Sequence, residues 1–375
     1  MKIVVALDSF KGSLTAIAAC EAVAAGLHEA RPDVEIVIKP MADGGEGTAA
    51  ALLAARPNGN WVEQVVTGPL PGQQVKAGFA WFPDTHTAVV EMAAASGLPL
   101  LKPQQRNPTR TTTHGTGELI AAACNHGARH IILTIGGSAT VDGGIGAAAA
   151  LGWQFLDSNA NSVTTVGGSL NSIAAIKTPP ATNLPPMTVL CDVTTTLCGP
   201  NGAAALFGPQ KGATPDQVEL LDRGLYNLAR LIKESLNIDI LTIPGGGAAG
   251  GLGAAAVAFF NAHLTPGSEA IINASGLHDA LRGASWCITG EGCLDTTSLE
   301  GKVVQAVTNA ARAAGVSVTV FSGINRLPPT TLTAAGISCA QAIKQKGISL
   351  NESLQRAPEL LRSAAHRWTL QTLPP

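Results

Sequence analysis

The sequence is poor in aromatic and charged side chains. Of its 375 residues, aromatic residues make up 4%, with a single tyrosine, and charged residues make up 13%, for a formal net charge of −2. Proteins that bind DNA or RNA need clustered basic residues for the phosphates and often use aromatic rings for the bases. No long basic run is present, so the composition argues against nucleic acid as a partner.

Several other features are missing as well. The seven cysteines contain no C-x-x-C pair, and their odd number and irregular spacing indicate neither a zinc site nor a disulfide framework. No stretch approaches the ~20 apolar residues of a membrane helix. The apolar start of the chain is too short for the core of a signal peptide. We therefore expect a cytoplasmic protein with no membrane partner.

What the sequence does contain is typical of an α/β protein. Hydrophobic residues make up 46% of the chain, which is ample for buried cores. Continuous β-branched runs over 2–7 and 34–39 alternate with alanine-rich helical stretches, as in parallel strands that are buried on both faces. The texture changes over 62–92, where short strands separated by Gly-Pro-rich turns indicate antiparallel pairing.

The length exceeds the size at which one core usually stops growing, so we expect two domains. Because predicted strands alternate with predicted helices at both chain ends, we predict a parallel, Rossmann- or flavodoxin-like domain built from these ends, with an inserted mixed α/β domain. The predicted active site lies in the cleft between the two domains. We assign residues 1–58, 109–150 and 284–375 to the parallel domain, and residues 59–108 and 151–283 to the inserted one.

Individual elements follow from periodicity and from turn residues. A pattern with a period of 3.6 predicts a helix over 215–236, and β-branched content predicts a strand directly after it, over 238–243. Two further strands are expected over 286–289 and 316–321. The glycines that follow each of these two strands are interpreted as the start of a loop.

Carboxylates recur where predicted strands end. Since the carboxyl ends of parallel strands line the ligand crevice, these groups could gather at one site. Gathered carboxylates repel one another, so lysines or a divalent cation would be needed to offset their charge. The carboxylates are Asp8, Asp43, Glu46, Asp142, Asp192, Glu291 and Asp295, and the lysines are Lys11, Lys211 and Lys302.

Two loops of small residues, over 136–140 and 245–251, open predicted helices. Backbone N–H groups in such loops can approach phosphate oxygens, so these loops and the carboxylates together indicate phosphoryl transfer. Each feature also has a simpler explanation, because a glycine loop is often a plain turn and an aspartate at a helix start is often an N-cap. The spacing Gly245-x-Gly247-x-x-Gly250 also matches the fingerprint of nicotinamide dinucleotide sites, which keeps that alternative open.

Eight segments of the chain, in order, resemble the type I glycerate kinase family, and the resemblance covers nearly the whole length. The segments are DSFKGSLT (8–15), ADGGEGT (42–48), EMAAASGL (91–98), HGTGELI (114–120), GGSAT (136–140), FGPQKGA (207–213), GAAGGLG (247–253) and ITGEG (288–292). The resemblance implies ATP- and Mg²⁺-dependent phosphorylation of D-glycerate, usually at the 2-hydroxyl, by a two-domain α/β enzyme. The chain departs from the family pattern at Thr195, Thr196, Cys293 and Thr297.

The resemblance and the loops together assign a role to each candidate residue. We expect Asp192 to accept the proton of the substrate hydroxyl, with Asp8 as the second candidate. Arg106 or Arg110 is expected to hold the substrate carboxylate, because Cys293 stands where the family pattern has an arginine. Phosphate, nucleotide or substrate contacts are expected from Ser9, Lys11, Ser138, Thr140, Lys211, Gly247, Gly250, Gly251 and Lys302. Cation contacts are expected from Asp43, Glu46 and Glu291.

Two alternatives to a glycerate kinase stay open at this point. One is a kinase of another small hydroxy-acid, and the other is a non-catalytic or nicotinamide-binding relative. In each case the partners are small molecules, and the protein is expected to be a monomer or a homodimer.

Overall fold

A computed structural model describes residues 1–180, 184–345 and 347–374. The strands are β1 (Lys2–Leu7), β2 (Glu35–Ile38), β3 (Asn60–Thr67), β4 (Gln74–Phe82), β5 (Thr87–Glu91), β6 (His130–Thr134), β7 (Gln154–Leu156), β8 (Ala175–Lys177), β9 (Met187–Leu190), β10 (His263–Thr265), β11 (Trp286–Leu294), β12 (Ser317–Asn325) and β13 (Cys339–Ala342). The α-helices are α1 (Ala16–Ala30), α2 (Thr48–Ala55), α3 (Met92–Ser96), α4 (His114–His126), α5 (Ile145–Ala150), α6 (Ala203–Phe207), α7 (Pro215–Leu236), α8 (Ala248–Phe260), α9 (Gly267–Ser275), α10 (Leu277–Leu281), α11 (Val303–Ala313), α12 (Pro329–Ala335), α13 (Leu350–Gln355) and α14 (Ala357–Thr372).

The chain divides into two compact units. Unit 1 comprises Met1–Asp43, Ala50–Pro57 and Pro266–Pro375, and unit 2 comprises Gly44–Ala49 and Asn58–Thr265. Unit 1 is therefore built from both chain ends, as predicted. Residues 109–150, which we assigned with the chain ends, belong to unit 2, because β6 pairs with β5 and β9 there. Residues 266–283 belong to unit 1 rather than to the inserted domain.

Unit 1 contains a five-stranded, fully parallel sheet in the order β2-β1-β11-β12-β13. Numbered along the chain within this unit, the order is 2-1-3-4-5, which is the flavodoxin-like arrangement. Residues 3–7 of β1 are 0% exposed, as expected for a strand covered on both faces. The parallel domain predicted from the β-branched runs is thus confirmed.

Helix α14 closes one face of unit 1 against α1. Trp368 of α14 is fully buried, and its ring packs edge-on against Trp286, with centroids 5.2 Å apart. Gly26 of α1 lets the two helices approach closely, because a Cβ at this position would collide with the carbonyl oxygen of Arg362. A tryptophan buried to this degree typically contributes about 3–5 kcal/mol relative to alanine.

Unit 2 contains a mixed six-stranded sheet in the order β10-β9-β6-β5-β4-β3. Its first four strands are parallel, and the β5–β4 and β4–β3 pairs are antiparallel. The short strands predicted over 62–92 therefore do pair in antiparallel fashion. The inserted mixed α/β domain is confirmed.

Helix α7 has the bounds that its periodicity predicts. Thr214 caps its start in a capping box with Gln217, and Asn237 ends it in a left-handed conformation. The strand predicted over 238–243 is wrong. The Asp239 side chain accepts a hydrogen bond from the Leu241 backbone N–H at 3.2 Å, which turns the chain where an extended strand was expected.

Strands β11 and β12 are longer than predicted, because their pairing continues past Thr289 and Phe321. Glu291 pairs with Ser322, and Cys293 pairs with Ile324. A Cβ at Gly290 would collide with the carbonyl oxygen of Phe321, so glycine serves here for close approach of two backbones.

Among the described residues, no helix is long and apolar enough to cross a bilayer.

Candidate active site

The strand order of unit 1 locates a crevice. The chain leaves β1 toward β2 on one side and returns through β11 on the other side, so the carboxyl ends of β1 and β11 flank a topological switch point. A pocket of about 420 Å³ opens near these strand ends. Its charged lining residues, which we call the charged end, are Asp8, Lys11, Asp43, Glu291, Asp295, Lys302 and Arg326. Its apolar lining residues include Ile324, Ile343, Leu350, Leu354 and Ala357, which we call the apolar wall.

Asp8 is the first residue after β1 and lies at the charged end. Its backbone N–H donates to the carbonyl oxygen of Gly290 at 2.9 Å, which fixes it beside β11. Its carboxylate accepts a hydrogen bond from the Ser9 backbone N–H at 2.6 Å and is almost entirely buried. Burial, reinforced by the negative charge of Asp43, raises the pKa of Asp8 from 3.8 to about 7. A carboxyl with this pKa exchanges its proton readily near neutral pH.

Lys11 supplies positive charge at the same end. Its ammonium lies 3.1 Å from a carboxylate oxygen of Asp43, and 78% of its side chain is exposed. The Asp43 carboxylate raises the pKa of Lys11, so this lysine stays charged at neutral pH. An exposed pair of this kind contributes about 0–1 kcal/mol to stability, which leaves Lys11 free to turn toward a ligand.

Glu291 faces the same end from β11. Its Oε1 atom is buried and has no hydrogen-bond partner in the part of the chain that the structure describes. Burial raises the pKa of Glu291. An orphaned carboxylate oxygen close to two other carboxylates is a position where a hard cation would be stabilised.

The remaining cations of the charged end differ in how they are held. Lys302 donates to the hydroxyl of Thr297 at 2.7 Å. Arg326 is exposed, and across the described ranges its guanidinium makes no hydrogen bond or ion pair. Its backbone N–H donates to the carbonyl oxygen of Leu294 at 2.9 Å, so the residue is fixed where β12 leaves β11.

Unit 2 holds a second cluster of predicted residues around Lys211. The Lys211 ammonium donates to the Ser138 hydroxyl and to the Thr140 carbonyl oxygen, both at 2.7 Å, and the residue is 2% exposed. Burial lowers the pKa of Lys211 to about 7. Through these two bonds, the buried lysine links its own segment of unit 2 to the loop over 136–140.

Asp142 is a structural carboxylate of the same unit. It is fully buried, and it accepts hydrogen bonds from the Thr113 N–H and hydroxyl and from the N–H groups of Gly144 and Gly146. These donors lie at the start of α4 and α5. Asp142 therefore ties two helix N-termini together, which agrees with its interpretation as a cap.

The small residues at the start of α8 are explained by packing within unit 2. Ala249, Gly250 and Gly251 all have positive φ, from 53° to 98°. A Cβ at Gly247 would collide with the Thr196 carbonyl oxygen, and a Cβ at Gly250 with that of Thr140. Close approach of neighbouring loops thus accounts for glycine at these two positions, whatever the loop binds.

The other predicted residues also lie in unit 2. Asp192 and Glu46 are exposed, and Arg106 is half-buried beside Gly212. The predicted cation ligands are therefore divided, with Asp43 and Glu291 in unit 1 and Glu46 in unit 2. Within the described ranges, no group of three or more His, Cys, Asp or Glu side chains is arranged to hold a metal ion.

The nicotinamide fingerprint lacks its structural context. It requires a strand directly before the glycines, and residues 238–243 form none. Gly245 instead has a φ of 81°, and a Cβ there would lie within 2.9 Å of the Cys191 sulfur. The glycine run therefore turns against β9 and does not follow a strand into a helix.

Sequence reasoning missed Arg326 and the apolar wall. Arg326 and Ile324 are two positions apart at the end of β12, so they point to the same side and both line the pocket. Alternation could have shown this only if β12 had been extended past Phe321. The glycine after Ser322 hid that extension.

Comparison with known proteins places the chain among phosphotransferases. A model of the Glycerate kinase family matches residues 3–372. Glycerate 2-kinase of Escherichia coli K12 is 45% identical over 318 residues, covering 83% of this chain and 82% of the relative. Glycerate kinase of Halalkalibacterium halodurans is 41% identical over 366 residues, covering 97% and 96%. A crystal structure of a Salmonella typhimurium LT2 protein, provisionally named glycerate kinase 2, matches this chain with a TM-score of 0.87. The two sequences are 41% identical, and the match covers 99% of this chain and 98% of that chain.

Proposed function

Because this chain belongs to the glycerate kinase family, whose members are phosphotransferases with an alcohol acceptor, we propose that it transfers the γ-phosphoryl group of ATP to the 2-hydroxyl of D-glycerate. The products are 2-phosphoglycerate and ADP. The observation that carries this proposal is the charged end of the unit 1 pocket, where a carboxyl with a pKa of about 7 lies beside an exposed lysine.

Asp8 is the proton acceptor that this geometry favours. A general base works best when its pKa lies near the operating pH, and burial places Asp8 there. In the proposed step the substrate hydroxyl oxygen attacks the γ-phosphorus and its proton passes to Asp8. The bond to the bridging oxygen breaks, and that oxygen leaves with ADP. Lys11 and Lys302 hold phosphate oxygens while negative charge shifts toward the leaving group.

Asp43 and Glu291 fit a magnesium ion. Both offer hard oxygen ligands, and the buried Oε1 of Glu291 has no other partner in the described part of the chain. Mg²⁺ commonly uses one or two carboxylates and takes its other ligands from phosphates and water, so a protein cage of three ligands is not required. When bound, the ion would neutralise charge on the phosphates. Glu46 stays a predicted ligand.

The roles predicted for unit 2 stay proposals. Asp192 stays the alternative proton acceptor, and Arg106 the alternative holder of the substrate carboxylate. Lys211 already donates hydrogen bonds to the Ser138 hydroxyl and to the Thr140 carbonyl oxygen. Their contribution to nucleotide binding would be to hold the loop over 136–140 in place, together with the glycines over 247–251.

Phosphorus NMR of the product tests the proposed reaction. The protein is incubated with D-glycerate, ATP and Mg²⁺, and the proton-coupled phosphorus signal of the new ester is recorded. A phosphate on the 2-hydroxyl neighbours one carbon-bound hydrogen and gives a doublet, whereas a phosphate on the 3-hydroxyl neighbours two and gives a triplet. We expect the doublet. A triplet would correct the position of transfer, and the absence of any new ester would refute the function.

A pair of matched variants tests the proton acceptor. Asp8→Asn is expected to lower kcat about 10²–10⁴-fold with little change in KM, because the amide has the same shape but cannot take the proton. Asp192→Asn is expected to lower kcat far less. If Asp192→Asn has the larger effect, the sequence-based assignment is right and Asp8 is not the base.

A further inference from the structure

We propose that Thr297 is a positioning residue, which fixes the ammonium group of Lys302 in the unit 1 pocket by linking it to the carboxylate of Asp295. All three residues line that pocket. The inference rests on the proposed function, in which Lys302 holds phosphate oxygens, and extends it to a residue to which the mechanism gives no role. Thr297 is one of the four positions at which the chain departs from the family pattern, so the family resemblance assigns nothing to it.

Lys302 has a fixed backbone but a long, exposed side chain. The residue is the N-cap of α11, where its carbonyl oxygen accepts a hydrogen bond from the Ala306 N–H at 2.9 Å. Its ammonium group lies at the end of a flexible four-carbon stem. Among the described residues, the Thr297 hydroxyl is the sole hydrogen-bond partner of that ammonium, at 2.7 Å. The place of this positive charge in the pocket therefore depends on Thr297.

The direction of the Thr297 hydroxyl is set by the groups on its two sides. The hydroxyl donates to Oδ1 of Asp295 at 2.7 Å and accepts the hydrogen bond from Lys302. A lysine can only donate and an ionised carboxylate can only accept, so the one hydroxyl hydrogen points at Asp295 and a lone pair points at Lys302. The hydrogen bond from Thr297 lowers the pKa of Asp295, which keeps this carboxyl ionised at neutral pH.

The Asp295 carboxylate is held by the turn that contains it. Its Oδ1 also accepts from the Thr297 backbone N–H at 3.0 Å, and the Asp295 N–H donates to the Ser298 hydroxyl at 3.0 Å. Ser298 is 1% exposed, so a buried side chain fixes this turn. Asp295 forms no ion pair with any residue that the structure describes, and Thr297 is the link between its negative charge and Lys302.

Lys11 shows why an intervening hydroxyl matters. The Lys11 ammonium lies 3.1 Å from a carboxylate oxygen of Asp43, so direct contact already neutralises part of its charge. Lys302 is oriented by a neutral hydroxyl instead, which leaves its charge for phosphate oxygens. A charge that is held in place before the reaction stabilises the transition state without a cost of reorganisation.

A double-mutant cycle on Thr297 and Lys302 tests this assignment. Thr297→Val replaces the hydroxyl by a methyl group and is expected to lower kcat for glycerate phosphorylation about 5–20-fold, with KM for glycerate changed less than about twofold. Lys302→Met is expected to lower kcat about 10²-fold. Adding Thr297→Val to Lys302→Met should lower kcat less than about twofold further, because the lysine that the hydroxyl positions is gone. Thr297→Ser keeps the hydroxyl and should stay within about threefold of the wild type.

Thr333→Val is the matched control. Thr333 is an exposed threonine of α12 in unit 1, its hydroxyl donates to the Pro329 carbonyl oxygen at 3.1 Å, and it does not line the pocket. This variant should have the kcat of the wild type. Urea unfolding of every variant would establish that Thr297→Val is folded and about as stable as Thr333→Val.

The outcomes separate this inference from the proposed function. The inference is overturned if Thr297→Val keeps the kcat of the wild type, or if it lowers kcat as strongly in the Lys302→Met background as alone. A Thr297→Ser variant as slow as Thr297→Val would also overturn it, because the hydroxyl would then not be the group that matters. If Lys302→Met phosphorylates glycerate at the wild-type rate, the inference falls and the proposed function stands. A wild type that forms no phosphoglycerate would refute the proposed function itself.

Discussion

Lys11 in unit 1 and Lys211 in unit 2 are each followed directly by a glycine, but they lie in opposite environments. Lys11 has a largely exposed side chain and an aspartate partner that raises its pKa. Lys211 is buried, and burial lowers its pKa to about 7 while its ammonium bonds to a hydroxyl and a carbonyl oxygen. The first lysine is available to a ligand, and the second is occupied in joining loops.

Asp8 and Asp142 show the same contrast. Both are deeply buried, but Asp142 accepts four hydrogen bonds from two helix starts, whereas Asp8 accepts one hydrogen bond, from the Ser9 N–H, within the described ranges and lines a pocket. Burial raises the pKa of both carboxyls. A perturbed carboxyl is therefore a sign of function only where its oxygen atoms are left for a ligand. We infer that Asp142 serves the architecture of unit 2, whereas the carboxyl of Asp8 in unit 1 is left for a ligand.

The largest expected effect tests the architectural side of this comparison. Asp142→Ala should destabilise the protein by about 3–5 kcal/mol, because the buried donors of Thr113, Gly144 and Gly146 would lose their acceptor. Urea unfolding followed by circular dichroism would measure the change.

Asp43→Ala is the matched control in unit 1. Its ion-pair partner Lys11 is exposed, so loss of this pair should change stability by about 1 kcal/mol or less, while kcat/KM for glycerate should fall. The comparison breaks down if Asp43→Ala costs as much stability as Asp142→Ala, or if Asp142→Ala remains as stable as the wild type.

Glycines give the second test, with an expected effect of about 2–4 kcal/mol. Gly250 has a φ of 68°, and a Cβ there would collide with the Thr140 carbonyl oxygen, so Gly250→Ala adds steric strain to backbone strain. Gly12 has a φ of 79° but open space around it, so Gly12→Ala should cost only about 1–2 kcal/mol. Equal unfolding free energies for the two variants would show that the loop over 247–251 can move away from its neighbours.

The sequence was sufficient for the fold class and insufficient for this division of roles. Continuous β-branched runs predicted the parallel sheet, because such strands must be covered on both faces. Periodicity predicted α7 with its observed bounds. Glycine was the main source of error, since the glycines after residues 289 and 321 are turn residues by statistics but strand residues here.

Site residues were harder to predict because their roles depend on distant neighbours. Asp8 and Asp142 each follow an apolar residue and precede a small one, so local sequence cannot separate them. What separates them is whether backbone donors surround the carboxylate. Nothing in the local sequence marks Arg326. Only the structure shows that it lines the pocket and that its guanidinium has no hydrogen-bond or ion-pair partner among the described residues.

The smallest expected effect concerns the pH dependence of stability and tests Asp8 directly. Its pKa of about 7 in the folded protein lies above its ordinary value of 3.8, so the folded state holds this proton more tightly than the unfolded state. The contribution is fully present below about pH 4 and is lost as the pH rises through 7, with a ceiling of about 4 kcal/mol for a shift of about three units. We expect about 2 kcal/mol, because water in the pocket partly solvates the carboxylate. Asp8→Asn cannot ionise at this position, so its free energy of unfolding should rise by about that much relative to the wild type between pH 5 and pH 8. Urea unfolding with EDTA present would measure the change.

Asp33→Asn is the control, because Arg31 lowers the pKa of the exposed Asp33 carboxyl and no such gain should appear there. A difference between Asp8→Asn and the wild type that stays constant from pH 5 to pH 8 would mean that Asp8 is ionised throughout, and unit 1 would then lose the feature that distinguishes its carboxylates from those of unit 2.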